Sequence, residues 1–176
     1  MLQTQRIFLR ALEPSDLEFL YQFENDTSLW SVSLSVAPFS KDVLRQYLEN
    51  AAADIYAARQ LRLMICLQQE STVVGTVDLF DFDPMHRRAG VGIALAAPHR
   101  GQGYGAETLQ ILEEYAAQVL QLHQLYCSVS QENSTSLKLF RQAGFQEIGV
   151  RKEWLRTAQG WQNVVEFQKI LSDLFD

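Results

Sequence analysis

Apolar and polar residues alternate with period two in some stretches of the chain and recur every three or four positions in others, and each change of period marks an element. Residues 6–12 alternate and predict a strand. Pro14, Ser15 and Asp16 then open a helix whose apolar positions Leu17, Leu20, Tyr21 and Phe23 hold helical spacing. A second helical stretch covers 41–58. Three strands are expected over 61–68, 72–82 and 88–96, broken at Gln69, Glu70 and Ser71 and again at Asp83 and Pro84, in the manner of a meander. After a glycine cluster, Leu109, Leu112, Ala116 and Val119 recur at helical spacing, with Gln110, Glu113, Glu114 and Gln118 on the other faces. A buried strand at 122–130, a short helix at 133–143 closed by Gly144, and strands at 145–155 and 161–170 complete the chain. The order is mixed α/β, and no repeat or linker divides residues 1–176, so a single domain is expected.

The glycine cluster changes this picture from fold to chemistry. The stretch "HRGQGYGA" places Gly101, Gly103 and Gly105 between a strand and the long amphipathic helix. The first amides of that helix have no intrahelical partner and point outward with the positive end of the helix dipole. Bare backbone there lets a phosphate approach without a Cβ clash, and Arg100 adds a charged donor. The plain alternative is a tight strand-to-helix turn. The same residues also fit G-x-G-x-x-A of a dinucleotide site through Gly101, Gly103 and Ala106. That pattern belongs after a first strand, with an acid about 20 positions on. Here three or four strands come first, and the matching region carries Tyr126, Cys127 and Ser128, with Glu132 already past the strand.

Arg100, Gly103 and Gly105 in the pattern R-x-x-G-x-G, after "AGVGIALAAPH" and before an amphipathic helix, resemble the coenzyme A pyrophosphate loop of the GNAT superfamily of N-acetyltransferases. A second segment, "VSQENSTSLKLFRQAGF", is similar to that superfamily's helix capped by an Asn, with an aromatic residue ahead of a Gly-Phe pair. The likeness runs from "RIFLRALEPSDL" to "GWQNVVEFQKI" and within the superfamily leans toward bacterial spermidine N-acetyltransferases and ribosomal-protein alanine N-acetyltransferases. It implies a mostly antiparallel central sheet of about seven strands flanked by about four helices, with a bulged strand before the coenzyme loop. It also implies acetyl-CoA as cosubstrate and a homodimer or higher homo-oligomer.

Carried onto this sequence, the resemblance gives Ile93, Ala94 and Leu95 to the pantetheine arm and residues Arg100, Gly101, Gln102, Gly103, Tyr104, Gly105 and Ala106 to the diphosphate. Asn133, Ser136 and Phe140 line the arm from the next helix, and an amide at Ala94 or Leu95 serves the oxyanion. An alkylamine with a pKa of about 10.4 is roughly one part in a thousand neutral at pH 7, so a proton acceptor is required. Many relatives carry a Glu after Arg-Arg-Ala, where this chain has Gly90. Asp78 and Asp81 are the nearest carboxylates, and strand alternation puts only one of them toward the site, with Asp81 the candidate. His86, an imidazole, is the other candidate, against its plainer reading as a solvated turn residue. Relatives protonate the leaving thiolate with a Tyr where this chain has Phe140; Ser136, one turn earlier, is the remaining donor. Serine is also common in the first turn of a helix, and both readings stand.

Composition narrows the partners. A formal charge of -6 argues against a nucleic-acid binder built on phosphate neutralisation and favours a cationic small partner. Cys66 and Cys127 lie in apolar runs and read as buried free thiols of a reducing, cytoplasmic compartment, with no metal-ligand spacing around them. No signal peptide or apolar run of about 20 residues points to a membrane. The resemblance implies as acceptor a small amine, polyamines included, or a protein N-terminus. The loop over 28–40 has no acid, unlike that of the spermidine enzymes, while Glu24, Asp26 and Asp54 lie near it. Trp30, Phe39, Trp154 and Trp161 are candidates for pocket walls or for ordinary packing. The absence of both expected proton-transfer residues keeps open a low-turnover acyl-coenzyme A sensor beside the enzyme.

Overall fold

The computed structural model describes residues 2–30, 35–51 and 54–171. Seven strands form one sheet: β1 (Ile7–Arg10), β2 (Leu61–Leu67), β3 (Val73–Asp83), β4 (Arg88–Leu95), β5 (Gln124–Ser130), β6 (Gln146–Thr157) and β7 (Gly160–Ile170), in the order β1-β2-β3-β4-β5-β7-β6. Every neighbouring pair is antiparallel except β4 and β5. That parallel step requires a crossover, which α4 (Tyr104–Gln118) supplies. The other helices are α1 (Leu17–Glu24), α2 (Lys41–Asn50), α3 (Ile55–Ala58) and α5 (Ser134–Gln142), five among the described residues where about four were expected.

The extra helix comes from a break in the stretch expected over 41–58. Asp54 has an extended backbone (φ -56, ψ 131) and caps a new helix, accepting a hydrogen bond from Tyr56 N at 3.1 Å. α2 has a cap of its own, Ser40, which accepts from Val43 N at 3.2 Å.

Period-two alternation gives the sheet two apolar faces. Leu63, Ile65, Val77, Leu79, Val91, Leu125 and Cys127 pack under Leu109, Leu112 and Ala116 of α4 and Leu137 and Phe140 of α5. Met64 and Cys66 of β2 face the other way, toward Leu20 of α1 and Leu44 of α2. Both cysteines are buried free thiols, and burial pushes each above its ordinary pKa. No helix among the described residues is long and apolar enough to cross a membrane.

The register between β3 and β4 slips once. Phe80 pairs with Gly90 and Asp83 with Arg88, so two β3 residues oppose Ala89 alone. The bulge falls on β3 at Asp81, in the left-handed region (φ 48), while β4 runs in regular register against β3 from Gly90 to Leu95. The bulged strand next to the glycine loop is thus its neighbour β3. The extra residue also resets the alternation that was expected to turn Asp78 and Asp81 to opposite faces.

The entry to α1 rests on a buried ion pair. Asp16, 4% exposed, receives both terminal nitrogens of Arg10 (2.8 and 2.7 Å) and the Glu13 N–H (2.8 Å). Burial works against its charge, but the Arg10 and Glu13 hydrogen bonds outweigh it and hold the carboxyl below its ordinary value. The stabilisation is therefore present above about pH 4 and lost as pH falls through the lowered folded value. Asp16→Asn is expected to cost about 3 kcal/mol, a Tm drop of roughly 5–10 °C, and to flatten the acid limb of stability against pH. Thermal unfolding between pH 2 and 7 checks this, and an unchanged acid limb would refute the assignment.

Candidate functional site

β4 and β5 pair over three positions only, Arg88 with Gln124, Ala89 with Leu125 and Gly90 with Tyr126. Beyond them β4 stays on β3 through Leu95 while β5 stays on β7 through Ser130, so the two parallel strands fork. Ala96 N donates to Val74 O at 2.9 Å, which by alternation also turns the backbone of Ala94 toward β3 and leaves Ile93 and Leu95 facing the gap. Past the fork each strand ends in a loop that starts a helix, α4 after β4 and α5 after β5. A crevice at the carboxyl ends of parallel strands that part company is where open α/β sheets bind ligands.

The three loop glycines meet two different demands. Gly101 (φ 73) and Gly103 (φ 87) are left-handed, and Gly103 is the N-cap of α4. A Cβ on Gly101 would meet nothing within 4 Å, whereas one on Gly105 would lie 3.2 Å from Leu139 Cδ2 and 3.9 Å from Ile93 Cδ1. Gly105 thus lets α4 approach α5 and β4 closely. The N–H groups of Ala106 and Glu107 return to Gly103 O at 3.1 and 3.3 Å, so the amides before them precede the first helical bond and point out of the helix end. Arg100 is exposed, and its Nε donates to Leu95 O at 2.8 Å, at the edge of the gap.

Across the gap, Asn133 caps α5, its side-chain oxygen accepting from Ser136 N at 3.1 Å. Ser136 is half-buried in the first turn. Phe140 lies deeper than a lining residue: it is 3% exposed and packs on Phe145 and Phe167, with ring centroids 5.1 and 6.1 Å away.

On the face of the sheet opposite α4 and α5, a Cβ on Gly90 would stand 2.2 Å from Phe80 Cε2. The Phe80 ring therefore fills the space that a side chain at 90 would need, and it meets Tyr126 edge-on at 6.2 Å. Asp78 is gripped by Arg62 through two bonds (2.8 and 3.1 Å), and the same guanidinium holds Glu24. Both oxygens of the Asp78 carboxylate are thus occupied by one guanidinium. Asp81 borders a cavity of about 600 Å³ that it shares with Arg59, Tyr126, Arg151, Glu166 and Gln168. Burial first, then the neighbouring Asp81 carboxylate, raises the Tyr126 hydroxyl above its ordinary pKa. His86 is exposed in the β3–β4 turn, its N–H bound to Asp83 Oδ1 at 3.0 Å.

Glu166 is a site residue that no motif marks. It takes hydrogen bonds from Ser128 Oγ (3.0 and 2.8 Å) and pairs with Arg151 Nε at 3.0 Å, with 16% of its side chain exposed. Its signal is alternation: Gln124, Tyr126 and Ser128 share one face of β5, and the register sets Glu166 and Gln168 beside them. The aromatic candidates divide. Trp154 and Trp161 are more than half exposed, Phe39 packs against the α1–α2 core, and Trp30 Nε1 donates to Glu24 O at 2.9 Å. The acid-poor loop over 28–40 lies partly outside the described residues, since 31–34 are not among them.

Residues 6–146 match the model of the acetyltransferase (GNAT) domain family, and the chain belongs to that family. It is 27% identical over 144 residues to a spermidine N(1)-acetyltransferase of Vibrio cholerae, covering 82% of this chain and 81% of that protein. The crystal structure of the Vibrio cholerae spermidine N-acetyltransferase in complex with CoA and spermine superposes with a TM-score of 0.88 at 25% identity, over 98% of this chain and 100% of the other. A dodecameric structure of that enzyme in an intermediate state gives 0.81 at 25% identity, over 98% of each chain. The mixed sheet of seven strands is the fold of this family.

The packing of Phe80 on Gly90 is directly testable. Gly90→Ala is expected to destabilise by about 1–3 kcal/mol, because the ring must leave its place, and adding Phe80→Ala should abolish the penalty specific to the added methyl. A double-mutant cycle in urea measures this coupling, and strictly additive effects would refute the contact.

Proposed function

We propose that this chain is an acetyl-CoA-dependent N-acetyltransferase acting on a primary amine, with a small cationic amine such as a polyamine as the leading acceptor. The observation that carries the reading is the junction of the β4–β5 fork with the bare N-terminus of α4. The residues present suit the cosubstrate: outward amides over 103–105 and Arg100 for the diphosphate, and the edge of Ile93 and Leu95 that β5 does not pair for the pantetheine amides. Asn133 and Ser136 stand on the other wall, and the coenzyme A bound to the Vibrio cholerae relative accords with this assignment.

In the reaction the amine nitrogen forms a bond to the thioester carbonyl carbon, the C–S bond breaks, and the thiolate leaves. The Leu95 amide, directed at the gap, is placed to stabilise the oxyanion. Asp81 is the proton acceptor on the amine side, because Asp78 is committed to Arg62 and Gly90 has no side chain. Ser136 is the donor to the thiolate, directly or through water. A protein N-terminus is the second reading for the acceptor, favoured by the acid-free sequence over 28–40. The dodecameric relative and the exposed Ile148, Val150 and Trp154 on the edge strand β6 support a homo-oligomer.

Thiol release from acetyl-CoA across spermidine, spermine, small amines and peptides beginning with Ala, Ser or Thr tests the reading. Turnover with an amine is expected, and Ser136→Ala should lower kcat by about 100-fold. Silence across the panel, with coenzyme A still bound, would favour the sensor over the enzyme. Gly103→Val should lose coenzyme A affinity by at least about tenfold with the circular dichroism spectrum retained, because a β-branched residue at φ 87 is strained at the anion site. Undiminished affinity would refute the loop assignment.

A further inference from the structure

Ahead of the first strand, the N-terminal segment is fastened to the glycine loop, about a hundred positions further along the chain. Arg6 Nη1 donates to Gln102 O at 3.0 Å, and Arg6 Nε donates to Glu107 Oε1 at 2.5 Å. The guanidinium lies 5.0 Å from the centre of the Tyr104 ring, and its Nη2 is 3.0 Å from where a Cβ on Gly103 would stand. Thr4 Oγ1 holds the second oxygen of Glu107. One side chain therefore touches or adjoins four consecutive-to-near positions of the loop and first helical turn, 102, 103, 104 and 107. Half of the Arg6 side chain remains exposed, against a fifth of that of Glu107.

Glu107 is the reason such a contact matters. A carboxylate in the first turn of α4 suits the helix dipole, but it stands where a polyanionic ligand must arrive. Left alone, it would oppose the field that makes the helix end attractive to phosphate. We propose that Arg6 is a positioning residue of the coenzyme site, cancelling the Glu107 charge and bracing Gln102 and Tyr104 so that the loop receives a diphosphate-bearing ligand. This rests on the coenzyme reading of the loop given above. The coupling is electrostatic first and mechanical second, and the two parts respond differently to substitution.

Calorimetric titration of the full chain with coenzyme A at low and high salt separates them, with pantetheine as the probe that lacks phosphates. Arg6→Gln is expected to weaken coenzyme A about tenfold at low salt, with a smaller loss at high salt, and to leave pantetheine affinity unchanged. Glu107→Gln should bind coenzyme A at least as tightly as the parent chain. The Arg6→Gln and Glu107→Gln double variant should recover most of the lost affinity, since neither charge then remains. A double variant as weak as Arg6→Gln alone would overturn charge cancellation, and unchanged affinity in Arg6→Gln would overturn the role altogether. Failure of the parent chain to bind coenzyme A would overturn the loop reading itself, a result distinct from both. Circular dichroism and Tm of each variant establish that the fold persists.

Discussion

The site depends on how early one ladder ends. β4 and β5 exchange hydrogen bonds over three residue pairs and then diverge, although both strands continue. Unpaired strand edges inside a sheet are costly unless something satisfies them. Here the cost is confined to one gap, and the elements that follow the two strands place helix N-termini at its mouth. Donors on one side, a backbone edge in the middle and a second helix end on the other form a slot for a long, polar, partly anionic ligand. The large core under α4 and α5 is what keeps the fork from closing, because β4 is held by β3 and α4, and β5 by β7 and α5.

Much of this was legible in the residues, for reasons of period and punctuation. Each strand was placed within a few residues of its structural bounds, because alternation and turn residues are local signals. The glycine loop and the Asn133 cap were legible for the same reason: each is a short motif whose geometry follows from its own backbone. The split between α2 and α3 was not, since Asp54 reads equally as a helix-face acid or as a cap until its backbone is seen. Asp81 was misplaced relative to Asp78 because one extra residue in β3 is invisible to a count of alternations.

The deeper omissions are long-range. Phe80 over Gly90, Ser128 on Glu166 and Arg6 on Glu107 each join residues whose relation depends on strand register or on tertiary approach. Gly90 shows the difference well. In the sequence it is an absent carboxylate; in the structure it is a site into which an aromatic ring has moved. The chemistry of the acceptor side must then come from neighbours. Of these, Asp78 and Glu24 are bound to Arg62, Glu166 is bound to Ser128 and Arg151, and Asp81 sits at the rim of the cavity.

Charge makes a last link between the two sides. A chain of net charge -6 repels an anionic cosubstrate at long range, so any attraction to coenzyme A has to be local. On the reading proposed above, that attraction comes from the end of α4 and Arg100, and pairing Arg6 with Glu107 keeps the helix's own acid from undoing it. A cationic acceptor meets the opposite field. The acidic surplus of the chain favours its approach, and Asp81 and Glu166 border a cavity beside the paired segment of β4 and β5, with Arg88, Gln124 and Tyr126. On the proposed reading, two reactants of opposite charge meet at one break in the sheet. The forked pair of parallel strands leaves that gap open, where a continuous ladder would have closed it.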